Sequence, residues 1–387
     1  MLAHHEMTLL ERANERRLTM TVLGVWVLSR IGVALASIIG AKASLDRHVD
    51  QVPNFLTLWN RWDVQIFAKL AHYGYFQSPQ HYPDPYLEAF FPGDPLVLRV
   101  VHFVFPSWIG AGLLLSFVAG AIASVGLAKL VAMETGSMVA GRNAVIFLVT
   151  SPFALFLFAG YSEALFLALA VWGWYFARQR HWLPAGLLIG YAAGVRITGL
   201  FLGIAFVVEY ITSRKRDGLP VFARPAVALG FPFAAIGIYF TYLHSKTHDW
   251  NRWSHAQRGG WFREFTWPIK AFRTTWYFIF QHTDNTDLSM SFIADTIMVF
   301  LGVVISLVLL KKRRWSQAVY VFVGTVALAT STYYFSVSRS ALLWFPVWIL
   351  LAEWSLRRRW LLPAWIYISA PIMGAYVVAF TNSRWVN

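Results

Sequence analysis

The sequence contains no cysteine in its 387 residues. That absence removes thiolate catalysis, iron–sulfur clusters, cysteine zinc sites and disulfide scaffolding. Charge is nearly as scarce. Only 13% of residues are Asp, Glu, Lys or Arg, about half the ~25% of an ordinary soluble domain. Low-complexity segments and internal repeats are missing too, which excludes fibrous, disordered and solenoid architectures. Apolar residues fill the gap: 57% of the chain is hydrophobic and 17% aromatic, with a mean hydropathy of +0.51. Too little polar surface remains to coat a water-soluble body. The composition therefore predicts an all-α, polytopic integral membrane protein folded as a single unit over 1–387.

Apolar runs suited to the ~20 residues of a membrane crossing lie near 18–40, 107–133, 143–158, 162–177, 220–243, 291–310, 316–336, 340–356 and 361–380. A further run, 182–211, is interrupted around Gly194-Val195-Arg196-Ile197-Thr198-Gly199. The net charge of +14 resides largely in clusters between runs: Arg12/Arg16/Arg17, Arg178/Arg180, Arg214/Lys215/Arg216, Lys311/Lys312/Arg313/Arg314 and Arg357/Arg358/Arg359. The positive-inside rule places these on the cytoplasmic side. The basic excess then orients the chain, and nucleic acid is not expected as a partner. Arg180 and Arg214 share a side only if 182–211 crosses twice, or dips in and returns, with its break at Arg196. A cytoplasmic N-terminus, about nine to eleven crossings and an external C-terminus follow. No cleavable leader is expected, because a polar stretch precedes a first span long enough to remain as an anchor. Arginine far outnumbers lysine, which points to a bacterial plasma membrane. Of the two intramembrane charges, Arg30 is expected to salt-bridge within the bundle, and Arg196 to contact substrate.

Two external segments, 42–106 and 244–290, are too long to be simple connections and too aromatic for disorder. In the first, Trp59, Trp62, Ile66, Phe67 and Leu70 recur at i, i+3, i+4 spacing, which predicts an amphipathic interfacial helix carrying Asp63. Tyr82-Pro83-Asp84-Pro85-Tyr86-Leu87-Glu88-Ala89-Phe90-Phe91-Pro92-Gly93-Asp94-Pro95 follows, a path stiffened by four prolines and bearing acids. The second loop sets Gln257 and Arg258 among Trp250, Trp253 and Trp261. Aromatic faces beside carboxylates and amides suit sugar rings. His244, His248 and His255 fit no strong metal-ligand spacing. Glu163 opens a helix, where a carboxylate interacts favourably with the free amides in any case. Arg339 also opens a helix, the unfavourable end for a cation, which favours a phosphate contact.

Four motifs in register carry a family resemblance. They are Arg61-Trp62-Asp63 with Ala71-His72-Tyr73-Gly74-Tyr75; Ala89-Phe90-Phe91-Pro92-Gly93; Ser151-Pro152, Tyr161-Ser162-Glu163 and Gly194-Val195-Arg196-Ile197-Thr198-Gly199-Leu200; and Ser338-Arg339 before Phe345-Pro346. Over roughly 20–360 the chain resembles the PIG-V family, the GPI mannosyltransferase 2 group and its prokaryotic relatives, within the GT-C glycosyltransferases. Asp94 departs from the resemblance, standing where an apolar or aromatic residue is usual. The resemblance implies a GT-C fold and an inverting transfer of mannose, or a related sugar, at the outer membrane face. The implied donor is a polyprenyl-phosphate-linked sugar and the acceptor a glycolipid or glycan. Asp63 takes the role of general base. Arg61, Arg196 and Arg339 are candidates for the donor phosphate, and Trp62, His72, Glu88, Asp94, Tyr161, Glu163 and Gln257 for substrate contacts. No cofactor or obligatory metal is implied, since a phosphate ester leaves readily once its charge is met. The alternative is a transporter or flippase of a lipid-linked sugar. Such proteins tend to place ionisable groups at the midplane of inverted repeats, whereas here the acids gather in outer loops.

Overall fold

The computed structural model describes residues 2–43, 54–76, 86–281 and 286–386, with side chains from residue 12 onward. The segment Tyr82-Pro83-Asp84-Pro85 lies outside the described residues. Regular structure among the described residues is helical, apart from one isolated bridge between Phe265 and Ser331.

The chain opens with α1 (Leu2–Ala43), α2 (Phe55–Trp59), α3 (Asp63–Tyr73), α4 (Gly93–His102), α5 (Trp108–Thr135) and α6 (Met138–Val149). The centre comprises α7 (Glu163–Arg178), α8 (Trp182–Val195), α9 (Thr198–Arg216), α10 (Phe231–Thr247), α11 (Arg252–Trp261) and α12 (Pro268–Gln281). The last third holds α13 (Thr286–Lys311), α14 (Trp315–Ala329), α15 (Val337–Ala341), α16 (Phe345–Arg357) and α17 (Leu361–Thr381). Among the described residues, five stretches are long and apolar enough to cross a membrane: Arg12–Ala43, Trp108–Thr135, Arg224–Thr247, Thr286–Lys311 and Leu361–Thr381. Large apolar side chains such as Leu28, Ile39, Ile238, Phe300 and Tyr367 point outward from them. The protein is an integral, multi-pass membrane protein.

Inside a bilayer helices gain little from burying apolar surface, so they associate through close backbone approach at small residues. The central α5 does this on several sides. A Cβ at Gly120 would meet Trp26 of α1 at 2.2 Å, and one at Gly126 would meet Trp172 of α7 at 2.7 Å. Ser107 caps the start of α5, its hydroxyl accepting from the Gly110 amide at 3.2 Å. Gly136, at φ 66°, turns the chain into α6.

Several expected spans are shorter than predicted. The run 143–158 is α6 followed by a 3-10 turn, Ala154–Leu157, because Pro152 disfavours helix in the residue before it. Arg30 answers the buried helix end. It donates to the carbonyls of Val149 at 3.1 Å and Ala154 at 2.7 Å and lies 4.5 Å over the Trp26 ring. Arg30 therefore binds carbonyls rather than the acid expected, since cations suit a helix C-terminus. The runs 316–336 and 340–356 likewise break, with the short α15 between α14 and α16.

The 182–211 stretch folds as a hairpin. Arg196 at its tip meets Glu163, the first residue of α7. Near its other end Glu209 meets Arg178, the last residue of α7. The arms α8 and α9 thus run alongside α7 over its length, about 22 Å at 1.5 Å per residue.

Candidate active site

The interfacial helix expected to run through Trp59 and Trp62 is interrupted. Trp62 adopts φ 50°, ψ −122°, outside the helical region, so α2 stops at Trp59 and α3 starts afresh at Asp63. The buried stripe of α3 is Val64, Phe67, Leu70 and Ala71. Trp62 is 40% exposed and packs edge-on against Trp385 at 4.7 Å between ring centroids. The break brings Asp63 to a helix N-terminus, where free amides favour a carboxylate.

Three remote segments converge on it. After the 3-10 turn, Gly160 (φ 78°) passes close to Gly112 of α5 and delivers Tyr161, Ser162 and Glu163. The hairpin tip brings Arg196, which is extended between α8 and α9. α15 brings Arg339. Its guanidinium pairs with Asp63 Oδ2 at 2.9 Å and with Glu163 Oε1 at 2.5 Å, lying 4.4 Å from the Tyr161 ring centroid and 4.8 Å from that of Phe156. Arg196 donates to the same Glu163 oxygen at 2.7 Å and to Ser162 Oγ at 2.8 Å. Glu163 is fully buried and its Oε2 has no hydrogen-bond partner among the described residues. Asp63, Arg339, Glu163 and Arg196 form one chain of charge linking α3, α15, α7 and the hairpin.

Above this chain lies a cavity of about 150 Å3. Asp63, Arg196, Arg339 and Ser162 line one side, and Gln257, Trp261 and Arg263 close it from the second long loop. Phe67, Phe91, Phe335 and Trp385 supply aromatic walls. Gln257 donates to the Ala89 carbonyl at 3.2 Å, which joins the two long loops over the cavity.

The other sequence candidates stand back from it. Glu88 is buried and paired with Arg252 of α11 at 2.7 Å, and the Glu88 carbonyl accepts from the Tyr239 hydroxyl at 2.7 Å. It ties the first loop to α10 and α11. Arg61 donates to the carbonyls of Asn60 and Thr381, both at 3.2 Å, anchoring the α2–α3 link to the end of α17. His72 stacks near Tyr73 and Trp108, at the far end of α3 from Asp63. Tyr161 lies beneath Arg339 rather than on the cavity wall. Asp94 is 2% exposed and its Oδ1 has no hydrogen-bond partner among the described residues. Burial pushes its carboxyl up to about 7, with Glu163 adding to the rise and Arg196 opposing it. Its neighbour Gly93 touches the hairpin tip so closely that a Cβ would meet the Gly194 carbonyl at 2.6 Å.

Among the charged residues lining the cavity, Arg263 escaped sequence reasoning. Arg263 donates to the Phe335 carbonyl at 2.8 Å and lies 5.2 Å over the Phe335 ring, while its Nε is buried without a partner among the described residues. A lone arginine after Trp261-Phe262 in an aromatic loop was the available signal. The segment carrying Arg339 is held from behind. Buried Asp295 of α13 accepts from the Ser338 amide at 2.8 Å and the Ser338 hydroxyl at 2.6 Å.

The chain is similar to GPI alpha-1,6-mannosyltransferase 2 from several mammals. The Cricetulus griseus protein is 34% identical over 174 residues, 42% of this chain and 33% of that protein. The Homo sapiens protein is 33% identical over the same length, again 42% and 33%. This chain thus matches about a third of the length of these relatives, over a stretch shorter than the 20–360 suggested by the motifs. No family model matches. Among solved structures, the archaeal oligosaccharyltransferase AglB from Archaeoglobus fulgidus, in complex with an inhibitory peptide and a dolichol-phosphate, superposes with a TM-score of 0.43 and 11% identity. That superposition covers 95% of this chain and 56% of AglB.

Proposed function

We propose that the protein is a membrane glycosyltransferase of the mannosyltransferase kind, moving a sugar from a polyprenyl-phosphate donor to a glycolipid or glycan acceptor with inversion. The observation that carries this reading is the placement of one carboxylate, Asp63, in the same small cavity as three guanidiniums, Arg196, Arg263 and Arg339. A glycosidase needs a second carboxyl as acid because its leaving group is poor. A phosphate ester instead leaves with its electron pair, and arginines meet the charge it gains. The similarity to mannosyltransferases supports the same reading.

In this mechanism the acceptor hydroxyl oxygen bonds to the anomeric carbon from one face while the bond to the lipid phosphate oxygen breaks on the other. Asp63 takes the hydroxyl proton. Arg339 holds Asp63 Oδ2 and so orients the carboxylate, with its other oxygen to receive the proton. Arg263, the cavity guanidinium with an unpartnered nitrogen, takes the phosphate together with Arg196. The aromatic walls hold the sugar ring and exclude water, which would otherwise hydrolyse the donor. The cavity belongs on the outer face, because the basic clusters lie at the other end of the helices.

Incubating the purified protein with radiolabelled polyprenyl-phosphate-mannose and a membrane lipid extract tests this. A new labelled product is expected, and Asp63→Asn should cut its formation by about 100-fold or more while the protein still folds. Movement of unaltered donor across vesicles without product would instead identify a transporter.

A further inference from the structure

At the opposite end of α7 a second cleft, of about 420 Å3, opens between the end of α9 and the turn joining α13 to α14. Its walls carry Arg178, Lys215, Arg216, Arg313 and Arg314 against a single carboxylate, Glu209. That carboxylate is already engaged. Glu209 Oε1 meets Arg178 at 3.0 Å and Oε2 accepts from the Ser316 hydroxyl at 2.6 Å. Arg178 also pairs with Glu134 at 3.2 Å, and Arg314 with Glu353. Lys215 and Arg313, both exposed, meet no carboxylate among the described residues. Arg313 is held in this position by a tight turn at φ 58°, and Nη1 of Arg314 is buried without a hydrogen-bond partner. The cleft therefore has donors and positive charge in excess, in a concave wall built from two separate hairpins.

Its surroundings say where the matching anion comes from. Trp315 lines the cleft and is 52% exposed, and tryptophan favours the headgroup level of a bilayer. Immediately beyond, Leu307 and Leu310 of α13 and Phe322 of α14 face outward, a surface suited to acyl chains. Basic pockets between membrane helices are suited to phosphate headgroups.

We propose that this cleft binds the phosphate headgroup of an anionic membrane lipid, clasped between Lys215 on α9 and Arg313 on the α13–α14 turn. The headgroup adds a bridge between two hairpins that meet at this end through Glu209 and Ser316, so its binding stiffens the end of the bundle remote from the cavity.

The test is native mass spectrometry of the full-length protein, delipidated in a neutral detergent and titrated with phosphatidylglycerol or phosphatidylcholine. Phosphatidylglycerol should be retained preferentially. Lys215→Gln and Arg313→Gln should each weaken that retention by roughly fivefold, and the double variant more. Both positions are exposed, and unchanged thermal unfolding in detergent alone checks the fold. Arg358→Gln/Arg359→Gln removes the same charge outside the cleft and should leave retention near wild type. Equal loss in that control, or no preference over phosphatidylcholine, overturns the proposal. Inorganic phosphate that displaces the lipid at matched concentration, and stabilises the protein as much, would assign the cleft to a soluble anion instead.

Discussion

The two ends of α7 each carry a buried carboxylate clasped by arginines from other helices, yet they are finished differently. At the Arg178 end, Glu209 uses both oxygens and Glu134 accepts from Gln317 with both of its own at 3.0 Å. At the Glu163 end one oxygen of Glu163 and one of Asp94 have no partner among the described residues, nor does Nε of Arg263, whereas the open atoms at the Arg178 end, Nη1 of Arg180 and Arg314 and Oε1 of Gln317, include no carboxylate oxygen. Buried polar groups are nearly always satisfied in folded proteins, and each exception calls for a reason. A network whose acids are saturated holds helices together. A network that also leaves carboxylate oxygens open, next to the cavity holding Asp63, has acceptors to offer a ligand as well as donors.

Substituting the two glutamates separates these roles, and the largest effects are expected here. Glu209→Gln should lower stability by about 3–5 kcal/mol, because arginines lose a buried partner, while transfer per folded molecule stays near wild type. Glu163→Gln should cost comparable stability and also abolish transfer, since Arg196 and Arg339 lose their common anchor. Chemical unfolding and a product assay on the folded fraction read the two quantities separately. Equal activity per folded molecule in both variants would erase the distinction between the ends.

Asp94 gives the next effect. Its folded carboxyl titrates at about 7, above the ~4 of an unfolded aspartate. The folded state therefore holds the proton more tightly. Stability from this group is complete below about 4 and is lost as pH rises through about 7. A thermal-unfolding series across that window should show the decline in wild type and a flatter profile in Asp94→Asn. An identical slope in the variant would assign the pH dependence elsewhere.

The smallest effect sharpens the ligand side of the comparison. Arg263→Gln removes a cavity cation that pairs with no carboxylate among the described residues. It should raise the KM for a polyprenyl-phosphate sugar by about tenfold, as expected for loss of one charge-assisted hydrogen bond, with little change in unfolding. An unchanged KM would remove Arg263 from donor binding.

Much of this architecture is legible in the linear chain because a bilayer imposes local rules. Hydropathy over some twenty residues marks a span, and α1, α5, α13 and α17 fall where the apolar runs lie. The break at Arg196 was readable because a charge between glycines cannot sit in an unbroken lipid-facing helix. The halt of α6 after Val149 was less so, because its end is completed by Arg30, more than a hundred residues earlier. Asp63 and Glu88 look alike in sequence, both acids in one aromatic loop. Only their contacts part them, Asp63 paired with Arg339 and sharing a cavity with Arg196 and Arg263, and Glu88 locked to Arg252.

The sequence by itself determined that this is a multi-pass helical membrane protein, which segments are apolar enough to cross, and which acids and arginines were candidates for chemistry. These are properties of composition and short-range spacing. Tertiary structure alone decided that Trp62 breaks the helix before Asp63, that the arms of the 182–211 hairpin pack along α7, and that Arg263 completes the cavity. It also decided that Arg61 and Glu88 serve as anchors. The reason is physical: a side chain's role depends on which partner atoms lie within about 3 Å, and here those partners belong to helices far apart in the chain.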